Sequence, residues 1–388
     1  MKRPVNIGLS PNLEFDDFKL AVKTLFVGDD KNAKQNIIDW FENYFVGYSA
    51  IPFNSGRSAE WAIIKALGLK ADDEVLVQDF TCVAVPNSVR WVGVKTIDVK
   101  IKLGTYNVDP EDLERKITKN SRAVIVQHTF GQAAELIKIS AICKKHNLVL
   151  IEDCAHALGA SLDGRLLGTW GDVSFFSLGR DKVVSSVFGG VAISKDTNLT
   201  KRLKEVEQNL PENSWNWIIQ QLLHPILTWM FLPVYDVGLG KGELWLSQKL
   251  GLLSKAVYEK EKRGFKPDCF PAKYSNKLAT LGLNQLTKLQ RFNEHRRKIA
   301  SIYFEELKDT DLVLPPKQDG DIYLRFTVAS PSSRELYLRA KLESKWILGD
   351  WYKMPNIQVL NLPTYPNFSE EHAYELSKQI KIWLRSKK

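Results

Sequence analysis

Sulfur is scarce in this chain and has no metal-binding spacing. Its 388 residues include four cysteines (Cys82, Cys143, Cys154, Cys269) and three methionines. The absence of any CxxC pair argues against a metal cluster or a disulfide framework, so no metal is expected and a reducing cytoplasm fits. No apolar run comes after Met1-Lys2-Arg3-Pro4, and no secretory signal is expected. Internal repeats and low-complexity tracts are also lacking. Lys and Arg outnumber Asp and Glu by 54 to 45, a net charge of +9. These basic residues are dispersed, without a helix-turn-helix, zinc or RNA-motif pattern, so no nucleic acid partner is expected. The charge is read as solubility plus attraction for phosphorylated ligands.

One stretch lacks charge altogether. From Asn213 to Tyr235 there is no Asp, Glu, Lys or Arg, and Trp215, Trp217, Trp229, Met230 and Phe231 lie among leucines and isoleucines. A spanning helix needs about 20 apolar residues, but Gln220, Gln221, His224, Pro225 and Pro233 interrupt this run. A membrane span, an interfacial Trp-rich segment and a buried subunit interface all remain open.

The rest of the chain has ordinary globular content, 44% hydrophobic and 26% charged, enough for a large and a smaller domain. Asn36 to Phe45 has helical spacing at Ile37, Ile38, Phe41 and Phe45. Ser55-Gly56-Arg57-Ser58 precedes a helix running to Leu67 and stopped by Gly68. Strands are expected at Glu74–Gln78, Lys95–Asp98, Ala123–Gln127, Leu148–Ile151 and Val173–Phe176. Helices fall between them, including one to Trp91 and one over Ala133–Lys145. Strands alternating with helices predict a mainly parallel α/β sheet with its ligand site beyond the strands' carboxyl ends. Phe80, His128 and Asp153 fall near such ends. Later come a helix pair over Leu278–Leu307, a strand over Tyr323–Ala329 and a closing helix over Glu370–Leu384. The expected division is a large domain over 1–262, with the apolar insert at about 205–262, and a small α+β domain over 263–388.

The chemistry centres on Lys182. Pyridoxal 5'-phosphate (PLP) catalysis needs a lysine to bond the cofactor's aldehyde, a carboxylate at the pyridine nitrogen, and phosphate anchors. Lys182 lies in a loop after Phe175-Phe176-Ser177 and before Gly189-Gly190, and Glu152-Asp153 ends the strand upstream. Alternation leaves one of those two carboxylates facing each way. Ser177 and the Ser55 to Ser58 loop offer phosphate contacts, with a helix N-terminus for positive potential and Arg57 for a bidentate grip.

These residues resemble the DegT/DnrJ/StrS family of fold-type-I PLP sugar aminotransferases. The resemblance rests on Ser55 to Ala59, Phe80 to Ala84, His128 to Gln132, Ile151 to Ala160, Phe176-Ser177 through Lys182, Gly189-Gly190, Leu281-Gly282-Leu283, Arg296-Arg297, Gly349 to Tyr352 and Asn361 to Thr364. It implies Lys182 and Asp153 as catalytic residues, with Asp153 rather than Glu152 at the ring nitrogen and His156 where a glutamine is usual. It implies Ser177, Arg57 and Ser58 on the phosphate. Cys82 stands where the family stacks an aromatic ring on the cofactor, so Phe80 or His156 is expected to stack instead. The family's Gly-Tyr-Asn-Tyr-Arg stretch falls at Pro271 and Lys273, another departure. The resemblance further implies a homodimer moving an amino group, from glutamate, to a nucleotide-linked keto-sugar. That would serve surface polysaccharide or secondary-metabolite biosynthesis in the cytoplasm. The uncharged insert, itself a departure from the family, is what raises peripheral contact at the inner face of the membrane through residues 214–235, beside the subunit-interface reading. Competing readings are a non-catalytic regulator or scaffold on the same fold, and a PLP-dependent sugar dehydratase.

Overall fold

The computed structural model describes residues 5–6, 11–28, 30–234, 238–344, 346–351 and 359–386. Met1 to Pro4, Tyr235 and Tyr352 lie outside the described residues. Seven strands build the central sheet: β1 (Ser49–Phe53), β2 (Glu74–Gln78), β3 (Lys95–Val99), β4 (Ser121–Gln127), β5 (Val149–Asp153), β6 (Val173–Ser177) and β7 (Gly190–Ser194), in the order β1-β7-β6-β5-β4-β2-β3. Every pairing is parallel except those of β7, which runs antiparallel to both β6 and β1.

The strands read as nearly unbroken apolar runs because both sheet faces are covered. Along β4, Val124 and Val126 enter one core while Ala123 and Ile125 enter the other. Helices supply the covers. On one side α2 (Ala33–Tyr44) buries Ile37 and Phe41; on the other α3 (Gly56–Leu67) buries Ala59, Ala62 and Ile63. Between strands run α4 (Ala84–Arg90) and α5 (Leu136–His146).

Two expected boundaries shift, each for a local reason. The helix expected from Ala133 begins at Leu136, because Ala133 N donates to Asp321 Oδ1 at 2.9 Å and Ala134 N to His128 Nδ1 at 3.3 Å. These N–H groups serve distant partners in place of a first helical turn. The strand expected from Tyr323 starts at Phe326 as β8 (Phe326–Ala329); Tyr323 has φ +47°, outside strand geometry.

The uncharged stretch is α6 (Trp215–Phe231), capped by Ser214 and carrying Pro225 inside, and it is followed by α7 (Leu239–Lys249). Against α6 packs α1 (Phe15–Phe26), whose Phe15 and Phe18 lie 5.6 and 6.2 Å from the Trp229 ring. The expected helix pair is α8 (Asn276–Leu286) and α9 (Leu289–Leu307). Leu278, Leu281, Leu286, Leu289 and Phe292 belong to the large core, while Ile299 to Leu307 join a separate core with β8, β9 (Val359–Leu362), α10 (Ser333–Glu343) and α11 (Glu370–Arg385).

Candidate active site

A cavity of about 780 Å³ opens at the carboxyl ends of β4, β5 and β6. Strand register delivers the acid: Gln127 pairs with Asp153, and Asp153 with Phe175, so Asp153 closes β5 at the edge of the cavity. Alternation turns Glu152 the other way. Its carboxylate accepts the backbone N–H groups of Gly168, Trp170 and Gly171 and pairs with His128, so it anchors a loop away from the cavity. Asp153 accepts one hydrogen bond, from Ala155 N at 2.9 Å, and among the described residues it takes part in no ion pair. Burial pushes its acidity down, partly opposed by that N–H and by Lys182.

Lys182 lies on a tight loop in which Lys182 N donates to Gly179 O at 3.1 Å and Asn12 Nδ2 donates to Lys182 O at 2.7 Å. Its Nζ is 2.9 Å from His156 Nε2. Phe130 N lies 3.3 Å from His156 Nδ1, so the ring is held between the Phe130 amide and the Lys182 amine. Burial, then the charges of Lys182 and Arg325, keep His156 neutral well below its ordinary range. Beside Lys182, Asp181 pairs with Arg325 at 2.9 Å, and the Arg325 guanidinium lies 3.9 Å over the Trp351 ring. Asp181 stays ionised far below the usual carboxylate range; burial opposes this, but Lys182 and Arg325 outweigh it.

An anion cradle adjoins. The N-terminus of α3 meets the end of β6 so closely that a Cβ on Gly56 would lie 2.8 Å from Ser177 Cβ. Ser55, Gly56, Ser177 and Gly179 line this corner, with unspent N–H groups at the start of a 12-residue helix. An unpaired buried carboxylate, a lysine amine and an anion cradle around one cavity fit PLP, whose nitrogen, aldehyde and phosphate need these three groups.

The remaining expected residues divide. Cys82 lines the cavity, its thiol held protonated by burial. Arg57 lines it too, but its guanidinium is engaged by Glu261 and by Ala256 O, and it stacks on Phe270 at 4.7 Å. Ser58 lies beneath the cradle. Its hydroxyl donates to Asn54 Oδ1 at 2.6 Å and meets Ser55 Oγ at 2.8 Å, so it props the helix cap and leaves Ser55 at the surface of the cavity. Phe80 is fully buried in an aromatic cluster with Tyr106 and Phe130, away from the cavity lining. Of the two stacking candidates only His156 faces the cavity; it rests on Phe130, ring planes 8° apart. Sequence reasoning missed Glu60, Gln127, Arg180, Trp351, Lys255 and Lys262 in the lining. Arg180-Asp181, directly before Lys182, was the one local signal for the charged wall.

The family model described as the DegT/DnrJ/EryC1/StrS aminotransferase family matches residues 32–214 and 251–380. Among curated relatives, GDP-perosamine synthase of Vibrio cholerae is 26% identical over 356 residues, 89% of this chain and 83% of that protein. The dTDP-3-amino-3,6-dideoxy-alpha-D-galactopyranose transaminase of Aneurinibacillus thermoaerophilus is 35% identical over 171 residues, 43% of this chain and 47% of that protein. Among solved structures, Helicobacter pylori PseC, an aminotransferase of pseudoaminic acid biosynthesis, superposes with TM-score 0.74 at 17% identity, covering 99% of this chain and all (100%) of that one. Spr1654 of Streptococcus pneumoniae, assigned as a sugar aminotransferase and seen in its PLP form, gives 0.75 at 16% identity with 99% of each chain covered.

Proposed function

The chain belongs to the DegT/DnrJ/EryC1/StrS family of PLP-dependent aminotransferases, and on that premise we propose that it moves an amino group from glutamate to a nucleotide-linked keto-sugar. The observation that carries the reading is the placement of Asp153, His156 and Lys182 around one cavity beside the α3 cradle. Relatives that make perosamine and aminodideoxygalactose support the sugar as acceptor.

When bound, the cofactor supplies an aldehyde that takes up an amino group and a protonated ring that spreads the electron pair left by proton removal. Lys182 Nζ would be the amine that holds that aldehyde and, as a free amine, would serve as the base that carries a proton at the substrate's reacting carbon. Asp153 would hold the ring nitrogen protonated. In that role its buried carboxylate, in no ion pair among the described residues, would face a cation. Neutral His156, within hydrogen-bond reach of the lysine nitrogen, orients the amine. Ser177, Ser55 and the first N–H groups of α3 would hold the phosphate, and Asp181 with Arg325 fixes the loop that carries Lys182. The donor leaves as an oxo acid and the keto-sugar becomes an amino-sugar.

We read the working form as a cytoplasmic homodimer with peripheral contact at the inner face of the membrane. Exposed Trp215, Trp229, Met230 and Trp245 on α6 and α7 support an interface there. Trp215–Val234 is long and apolar enough to cross a membrane by length and composition only, with 39% of its apolar window buried. The test of the activity is incubation of PLP-loaded protein with glutamate and a nucleotide-linked keto-sugar, read by mass. Replacement of the keto oxygen by an amino group is expected; an unchanged sugar across a panel of keto-sugars overturns the acceptor.

A further inference from the structure

Both arginines in the cavity wall are committed to one stretch of chain. Arg57 pairs with Glu261 and donates to Ala256 O at 2.8 Å; Arg180 donates to Ser254 O and Ser254 Oγ, each at 2.8 Å. Asn87 Nδ2 adds a bond to Glu261 O at 2.8 Å, and Trp217 Nε1 of α6 donates to Tyr258 OH at 2.9 Å. Residues 254–262 therefore form a strap fixed at both ends to the walls of the cofactor cavity. The strap begins just beyond the gap that the family model leaves between 214 and 251, the segment holding α6 and α7.

With Arg57 and Arg180 spent on holding it, the strap brings its own cations to the cavity. Lys255 and Lys262 both line it, their side chains half exposed, so they stand at its solvent edge. Both converge on one oxygen of Glu259, at 2.9 and 3.0 Å. Two ammonium groups sharing one anionic oxygen make a site for negative charge. The two lysines hold the Glu259 carboxyl down to about 2. Because all three groups are exposed, these bonds are weak and readily exchanged for an anion of higher charge.

We propose that Lys255 and Lys262 form the subsite for the diphosphate that carries the sugar substrate, with Glu259 occupying its place in the free protein. This rests on the sugar aminotransferase reading and extends it to the carrier. The chemistry is shared by a nucleoside diphosphate and a lipid diphosphate, and the apolar α6–α7 pair leading into the strap makes the lipid source a specific arm of the test.

The test uses the PLP-loaded protein, so that the α3 cradle is filled, and measures binding of inorganic pyrophosphate, GDP and farnesyl diphosphate by calorimetry. The Lys255→Ala/Lys262→Ala variant should weaken all three by ~tenfold or more, two charge-assisted contacts being lost. Glu259→Gln should tighten them, since it removes the internal competitor. GDP binding more tightly than pyrophosphate assigns a nucleotide carrier; farnesyl diphosphate binding most tightly assigns a lipid one. The glutamate half-reaction of the wild-type protein, followed by absorbance, is the control for an intact cofactor site. Pyrophosphate affinity unchanged in the lysine variant, or weakened by Glu259→Gln, overturns the subsite. A wild-type protein inert to glutamate would instead overturn the aminotransferase reading on which it rests.

Discussion

Glu152 and Asp153 are adjacent and chemically alike, yet alternation on β5 gives them unrelated work. Three backbone N–H groups and His128 absorb Glu152, whereas Asp153 faces the cavity with a single N–H donor. Asp153→Asn keeps the acceptor for Ala155 N and removes only the charge, so the fold should hold. Its glutamate half-reaction should slow by about 10²-fold or more, the usual size of a lost electrostatic stabiliser; a rate within about threefold of wild type would free Asp153 of its role. Asp321 gives a residue-scale test of stability. Burial raises its pKa from 3.8 to about 7, opposed by Ala133 N and Gln132. A raised carboxyl pKa means the folded state binds the proton more tightly. The stability is therefore fully present below about pH 4 and is lost as pH rises toward 7, by at most about 1.4 kcal/mol per pH unit. Asp321→Asn should flatten that slope in thermal unfolding run between pH 4 and 7. Its amide N–H can also meet Gln132 Oε1, which has no partner in its present orientation.

At the scale of elements, the cradle depends on how closely α3 approaches the sheet. A Cβ on Gly190 would lie 2.3 Å from the Ser55 carbonyl carbon, and one on Gly56 would lie 2.8 Å from Ser177 Cβ. Gly56→Ala should weaken PLP retention by about tenfold, through displaced phosphate contacts. Gly190→Ala should cost on the order of 1–3 kcal/mol as the strand is pushed from the helix. Both are read by cofactor titration and thermal unfolding, and undiminished PLP affinity in Gly56→Ala would remove the cradle from that corner. The parallel strands and the Lys182 loop were legible in the sequence because their signals are local: apolar runs, alternation and a short spacing from strand end to lysine. Arg57 was assigned to the phosphate on equally local grounds. Its partner Glu261 is 204 residues away, and no neighbourhood pattern points to such an acid. Phe80 failed as a stacking ring for the same reason, since Tyr106, Phe130 and Val359, which enclose it, come from three separate segments.

At the scale of the whole molecule, α1, α6 and α7 lie outside the segments matched by the family model. The uncharged run was plain in the sequence, but which of its residues stay exposed depends on α1, through Phe15 and Phe18 against Trp229. Lysines flank the exposed aromatics: Lys249 lies 5.1 Å over Trp245 and Lys277 5.0 Å over Trp215. Aromatic rings beside lysines suit a membrane interface with anionic lipid. Wild-type protein should sediment with anionic vesicles and lose that partition in Trp215→Ser/Trp245→Ser, with its mass in solution unchanged. A fall to half the mass would mark the face as a contact between subunits.

The central claim is that Lys182 carries the cofactor and Asp153, His156 and Ser177 organise chemistry around it. Visible absorbance of the PLP-loaded protein before and after glutamate tests this most directly. Wild type should show a band from lysine-bound cofactor that bleaches on adding glutamate, and Lys182→Ala should show neither the band nor turnover. A Lys182→Ala protein that keeps the band and bleaches as wild type does would contradict the account.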